Sequence, residues 1–141
     1  MGAGVAAAQA RREELDQAER NTSTDGRNVY KVIWLVKFRA DVPRDEVVRW
    51  WREEHGPLAA KTPGMERYVQ NLWTDPLDQK SQLPVSGAPH FDGHAEHWFT
   101  DYEAYKAAMV SEEWKKTQED GPTGFDSTTL VGGALSEYVV L

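Results

Sequence analysis

A chain of 141 residues, 40% of them hydrophobic, has material for one compact core, and dividing it between two would leave neither well buried. Its formal charge of −7 comes without any basic run, which argues against a nucleic-acid partner, and the absence of cysteine rules out disulfides, thiolate metal sites and thiol catalysis. No apolar run approaches the roughly 20 residues needed to cross a bilayer, and GVAAAQA near the start is too short and weakly apolar for a signal-peptide core, so a soluble cytoplasmic protein without a membrane partner is expected.

Residues 1–28 combine an Ala-rich start, the charged RREELDQAER and the polar NTSTDGRN. Only Leu15 and a few alanines offer apolar surface there, so this segment is expected to be an appendage, partly disordered or helical, before a domain over 29–141. VYKVIWLVKF (29–38) reads as a strand. Tyr30, Val32, Trp34, Val36 and Phe38 share one side; Ile33 and Leu35 lie on the other between Lys31 and Lys37, so both faces have something to bury. ADVPRDEVVRWWREEHGPLAAK reads as a helix with Val47, Trp51 and Leu58 on its apolar stripe and His55 one turn after Trp51. Pro57 removes the amide that would bond the Glu53 carbonyl, so a bend or an end is expected there.

TPG then closes the helix, and MERYVQNLW alternates as a second strand. Residues 74–90, with three prolines, form a long connection or flap. FDGHAEHWF is a third strand. TDYEAYKAAMVSEEWKKTQED is a helix with a Thr100/Glu103 capping pair and a second start at Ser111. After the turn-rich GPTGFDSTT, ALSEYVVL (134–141) is expected as the last strand. Strand, helix, strand, strand, helix, strand is the ferredoxin-like α+β pattern: an antiparallel sheet with two helices on one face. The first strand is apolar on both sides and no internal repeat is present. The bare face is therefore expected to pack on a second copy, giving a homodimeric α+β barrel.

Certain residues carry chemistry. His55 titrates near neutrality and can serve as a general base or acid, or it can be a buried histidine bonded to a carbonyl freed by Pro57. Tyr68 can donate to a developing oxyanion, or merely pack. Alternation sends His94 and His97 to opposite faces, so they cannot chelate together. His97 shares the more apolar face with Phe91, Ala95 and Phe99, under the helices. A cluster of His90, His94 and Glu96 reads better as hydrogen-bonded interface residues than as a metal site. Trp34 and Trp51, with Val36 and Phe99, are candidate walls for a flat or cyclic ligand.

RWWREEHGPLAAKTPGMERYVQN, followed by FDGHAEHWF and SEEW, resembles the EthD family of the dimeric α+β barrel superfamily, from about residue 29 to the C-terminus. The resemblance implies a ferredoxin-like subunit, a homodimer and a pocket between sheet and helices. It also implies, from relatives of the methylmuconolactone methylisomerase type, active-site roles for the residues at His55 and Tyr68, and polyketide cyclase/dehydratase-like members are similar as well. At His97 the family's similar stretches carry an aliphatic residue; a histidine there needs a polar partner, for which His55 is the nearest candidate, so His97 is expected in the same pocket. The expected function is cofactor-independent isomerisation, cyclisation, dehydration or other elimination on a cyclic or aromatic oxygenated metabolite, with His55, Tyr68 and His97 as catalytic residues and no metal. The alternatives are a cofactor-free monooxygenase and a non-catalytic binding or accessory protein.

Overall fold

The sheet is organised on β1 (Tyr30–Val36), whose β-branched and aromatic residues suit a pleated surface buried on both sides. In the computed structural model, which describes residues 2–20 and 29–141, β1 pairs antiparallel with β3 (Gly93–Phe99) and with β4 (Val131–Leu135), and β3 pairs with β2 (Met65–Leu72). The resulting order, β2-β3-β1-β4, is the ferredoxin-like one. Residues directly opposite in an antiparallel ladder share a face. Val32, His97 and Tyr68 therefore form one row on the helix side, and Trp34, Ala95 and Gln70 form the next.

An N-terminal helix, α1 (Gly2–Arg20), carries only exposed side chains over 4–13. The polar stretch NTSTDGRN lies outside the described residues. α2 (Arg44–Trp50) opens with Asp45 and Glu46 in its first turn, where carboxylates complement the helix dipole. The bend or end expected at Pro57 takes another form. A π turn (Trp51–His55), closed by the Gly56 N–H on the Trp51 carbonyl, leads into α3 (Gly56–Ala59). The extra residue in that turn shifts the face that follows it: Trp50, Trp51, His55 and Ala59 are buried, whereas Leu58, expected on the stripe, is only half-buried.

The second helical region is two helices. Asp101, not Thr100, caps α4 (Tyr102–Met109), its carboxylate accepting from the Ala104 N–H at 2.7 Å. The restart at Ser111 is a full break, with its hydroxyl accepting from the Trp114 N–H at 3.2 Å to begin α5 (Glu112–Asp120). The last strand lies earlier than expected. β4 pairs with β1 from Val131 to Leu135, and 136–141 run on past the start of β1 without strand structure. Gly132 fits there because it faces Trp34; a Cβ at that position would come within 2.7 Å of the indole.

The core divides in two. Val36, Val47, Trp50, Trp51, Ala95 and Phe125 form one cluster, and Tyr30, Val32, Phe99 and Ala108 the other. On the opposite sheet face Lys31, Ile33, Leu35, Val69, His94, Glu96 and Trp98 remain half-buried. Lys31 there pairs with Glu96 at 3.2 Å and lies over the Trp98 ring. No helix among the described residues is long and apolar enough to cross a membrane.

Candidate functional site

A cavity of about 340 Å³ opens between the helices and the sheet. β1 contributes Trp34 and Val36, β2 Tyr68, and β3 Ala95 and His97. The π turn contributes Trp51 and His55, α5 adds Trp114, Thr117 and Gln118, and the segment after it adds Phe125. Most of this surface is aromatic or aliphatic, and among the described residues no lysine or arginine lines it. The connection over 74–90, expected as a possible flap, contributes no lining residue. It is held instead by its own turn, in which the Asp78 carboxylate accepts from the Lys80 and Ser81 amides.

His55 is placed by a partner that sequence reasoning missed. Its Nδ1 meets Oδ2 of Asp120 at 3.0 Å, and the same oxygen accepts from the Trp50 indole N–H at 3.1 Å. The ring is wedged between Trp50 and the edge of Phe125. Burial pushes its pKa below the usual histidine range, while the hydrogen bond and charge of Asp120 work in the other direction. A carboxylate only accepts, so neutral His55 carries its proton on Nδ1 and keeps the Nε2 lone pair free.

Tyr68 sits one strand from His97, their rings 4.9 Å apart. Burial raises the Tyr68 pKa, opposed by Gln70 and by the nearby Trp51 indole, so the phenol is protonated at neutral pH. His97 is 4% exposed, and its Nδ1 is buried with no hydrogen-bond partner among the described residues. Desolvation lowers its pKa to about 4, the proximity of His55 adds to this, and the Val32 backbone opposes it. His97 thus faces the helices, in the same cavity as His55, and is neutral except in acid.

Of the expected walls, Trp34, Trp51 and Val36 line the cavity, and Phe99 does not. Phe99 does lie on the helix-side face, but two residues beyond His97 the strand has passed the end of the cavity. Phe99 there is 1% exposed and packs edge-on against Tyr105 in the second core cluster. His94 points to the open sheet face, where its Nδ1 accepts from the Trp73 indole at 2.8 Å. Among the described residues no group of three or more His, Asp or Glu is arranged to hold a metal ion.

A ferredoxin-like α+β domain holding a largely apolar cavity, with His55 on its wall bonded to Asp120, defines the class. The EthD domain matches residues 39–128, and the chain belongs to the EthD family. Among solved structures it is similar to an EthD family protein from Bacillus halodurans, with 23% identity, a TM-score of 0.59, and coverage of 77% of this chain and 97% of that one. It is also similar to a dimeric ferredoxin-like protein of unknown function from Bacteroides fragilis, with 18% identity, a TM-score of 0.55, and coverage of 77% and 95%. A third is a dimeric ferredoxin-like protein of unknown function from Thermobifida fusca, with 13% identity, a TM-score of 0.54, and coverage of 77% and 90%. At these identities the likeness establishes the fold. Comparison with curated proteins found no match.

Proposed function

We propose that the protein is a cofactor-independent enzyme that moves a proton within a small, uncharged, cyclic or aromatic oxygenated metabolite, leading to isomerisation, cyclisation or elimination. The observation that carries this reading is His55, bonded to Asp120, on the wall of a largely apolar cavity that Tyr68 also lines. His55 Nε2 takes a proton from the carbon next to a carbonyl, and the C–H electron pair moves onto the oxygen as an enolate. Tyr68 donates a hydrogen bond to that oxygen, and Asp120 stabilises the imidazolium. The imidazolium then returns the proton to another carbon, giving an isomer, or to a departing oxygen, giving elimination. That no lysine or arginine among the described residues lines the cavity favours a neutral ligand over a carboxylate.

A thermal-shift screen of lactones, phenols and aromatic ketones, followed by product analysis on chelator-treated protein, tests the proposal. His55→Gln is expected to bind the hit within a few-fold of the unaltered protein and to turn it over at least about 100-fold more slowly. Turnover at the original rate in that variant would refute acid–base catalysis by this pair.

The subunit is proposed to work as a homodimer through the open sheet face. Support comes from the half-buried Ile33, Leu35, Val69 and Trp98 on that face and from the dimeric relatives of the same fold. Ile33→Asp is expected to shift the mass in solution from dimer to monomer at micromolar concentration. A protein that is already monomeric at that concentration defeats this part of the proposal.

A further inference from the structure

We infer that Gln70, which does not line the cavity, is a positioning residue that makes Tyr68 an obligate hydrogen-bond donor towards the cavity, so that the ligand presents an acceptor oxygen beside Tyr68. The inference rests on reading this cavity as the site of proton transfer. Its geometric part stands on the protein alone.

Gln70 and Tyr68 are two residues apart on β2 and share its helix-side face. The side-chain amide of Gln70 reaches the π turn, where Nε2 lies 2.7 Å from the Trp51 carbonyl oxygen and 3.1 Å from the Tyr68 hydroxyl. A backbone carbonyl can only accept, so the group facing it must be the NH₂ end of the amide. That assignment fixes the second contact: the same NH₂ faces the Tyr68 oxygen, which must accept. The buried Trp51 indole N–H, with no acceptor of its own among the described residues, is close enough to Tyr68 to lower its pKa, and it too is only a donor. Both groups around the Tyr68 oxygen thus offer protons, and no acceptor among the described residues takes the phenol's own. Its proton is left for whatever occupies the cavity.

Two backbone features make this contact available. The π turn leaves the Trp51 carbonyl bonded to the Gly56 N–H while still open to a side-chain donor. Gly56 itself supplies the room, since a Cβ there would lie 2.8 Å from Gln70 Nε2. Gln70 therefore ties the helix that carries His55 to the strand that carries Tyr68, and sets the direction of the Tyr68 hydrogen bond as it does so.

The experiment is an NMR titration of the ligand-free protein labelled with ¹³Cζ-tyrosine, with Tyr68→Phe to assign the signal. Gln70→Leu removes the donor that favours the phenolate and is expected to raise the Tyr68 midpoint by about one pH unit. A role in packing alone changes melting but leaves that midpoint where it was, and an unchanged midpoint overturns the inference. Gln70→Glu keeps the shape but turns an acceptor oxygen towards Tyr68, which recaptures its proton. With a substrate from the screen it is expected to lose as much turnover as Tyr68→Phe, and more than Gln70→Leu. Unaltered turnover in Gln70→Glu also overturns the inference, and this variant serves if Gln70→Leu fails to fold. A midpoint that moves while His55→Gln leaves turnover untouched supports the role of Gln70 and defeats the proton-transfer reading instead.

Discussion

Asp120→Asn is expected to lower kcat by about two orders of magnitude, with the ligand still bound and the His55 ring still in place. The Trp50 indole N–H donates to Asp120 Oδ2, and this contact selects the amide orientation. The asparagine oxygen stays where Oδ2 was, because the NH₂ end would face a donor. His55 therefore keeps its Nδ1–H tautomer and loses only the negative charge that stabilises the imidazolium. Asp120→Leu, which removes the acceptor as well, should cost more. The pH profile separates charge from geometry. Neutral His55 is the active form, so kcat/KM falls as the pH drops through its folded pKa, which burial already holds below the usual value. Asp120 opposes that depression, and removing its charge should move the acid limb to still lower pH. An acid limb unmoved in Asp120→Asn would mean that His55 is not the base.

His97→Leu should leave the protein folded, reduce turnover, and flatten the acid side of its stability curve. In the folded chain His97 has a pKa of about 4, whereas unfolded it titrates near 6.5. Between these values the unfolded state takes up a proton that the folded state does not, so stability is complete above about pH 6.5 and falls as the pH drops towards 4. The loss attributable to this residue reaches about 3 kcal/mol at the lower end. Leucine cannot titrate, so the variant should gain on the unaltered protein by roughly 2–3 kcal/mol when urea denaturation at pH 4.5 is compared with pH 8. Parallel stability curves for the two proteins would show that His97 is protonated as easily folded as unfolded, against the burial described here. Reduced turnover is expected because the ring lines the cavity with His55 and Tyr68.

Alternation was enough to separate His97 from His94 and place it on the helix side, because a strand's period of two leaves no third option. It could not show how far along the strand the cavity extends, which is why Phe99 was assigned to a wall it does not reach. Asp120 was illegible for a different reason. It ends a helix rich in Lys, Gln and Glu, where an acidic residue reads as solvated, and its partner lies 65 positions away. The only local hint was the stripe of Trp114, Thr117 and Gly121, which turns the end of α5 inward. Gln70 gave no signal either, since its role depends on a carbonyl exposed by a π turn, and helical periodicity does not encode such a turn. β4 was misplaced because Val131-Gly132-Gly133 has weak strand propensity while the tail has a strong one, yet the pairing with β1 begins at Val131 and ends at Leu135.

The π turn also changes what counts as part of the site. Arg52, Glu53 and Glu54 are exposed and none of them lines the cavity. As side chains they are free to vary, but the winding of their backbone is not. Rewound as a regular helix with the same residues, this stretch would rotate all that follows by about 100° relative to Trp51. His55 would turn away from Asp120, and Gln70 would lose the carbonyl it reaches. The active geometry is thus stored partly in one wide turn, so a change that favours regular helix at interchangeable surface positions can erase the site while every residue that forms it remains in the chain.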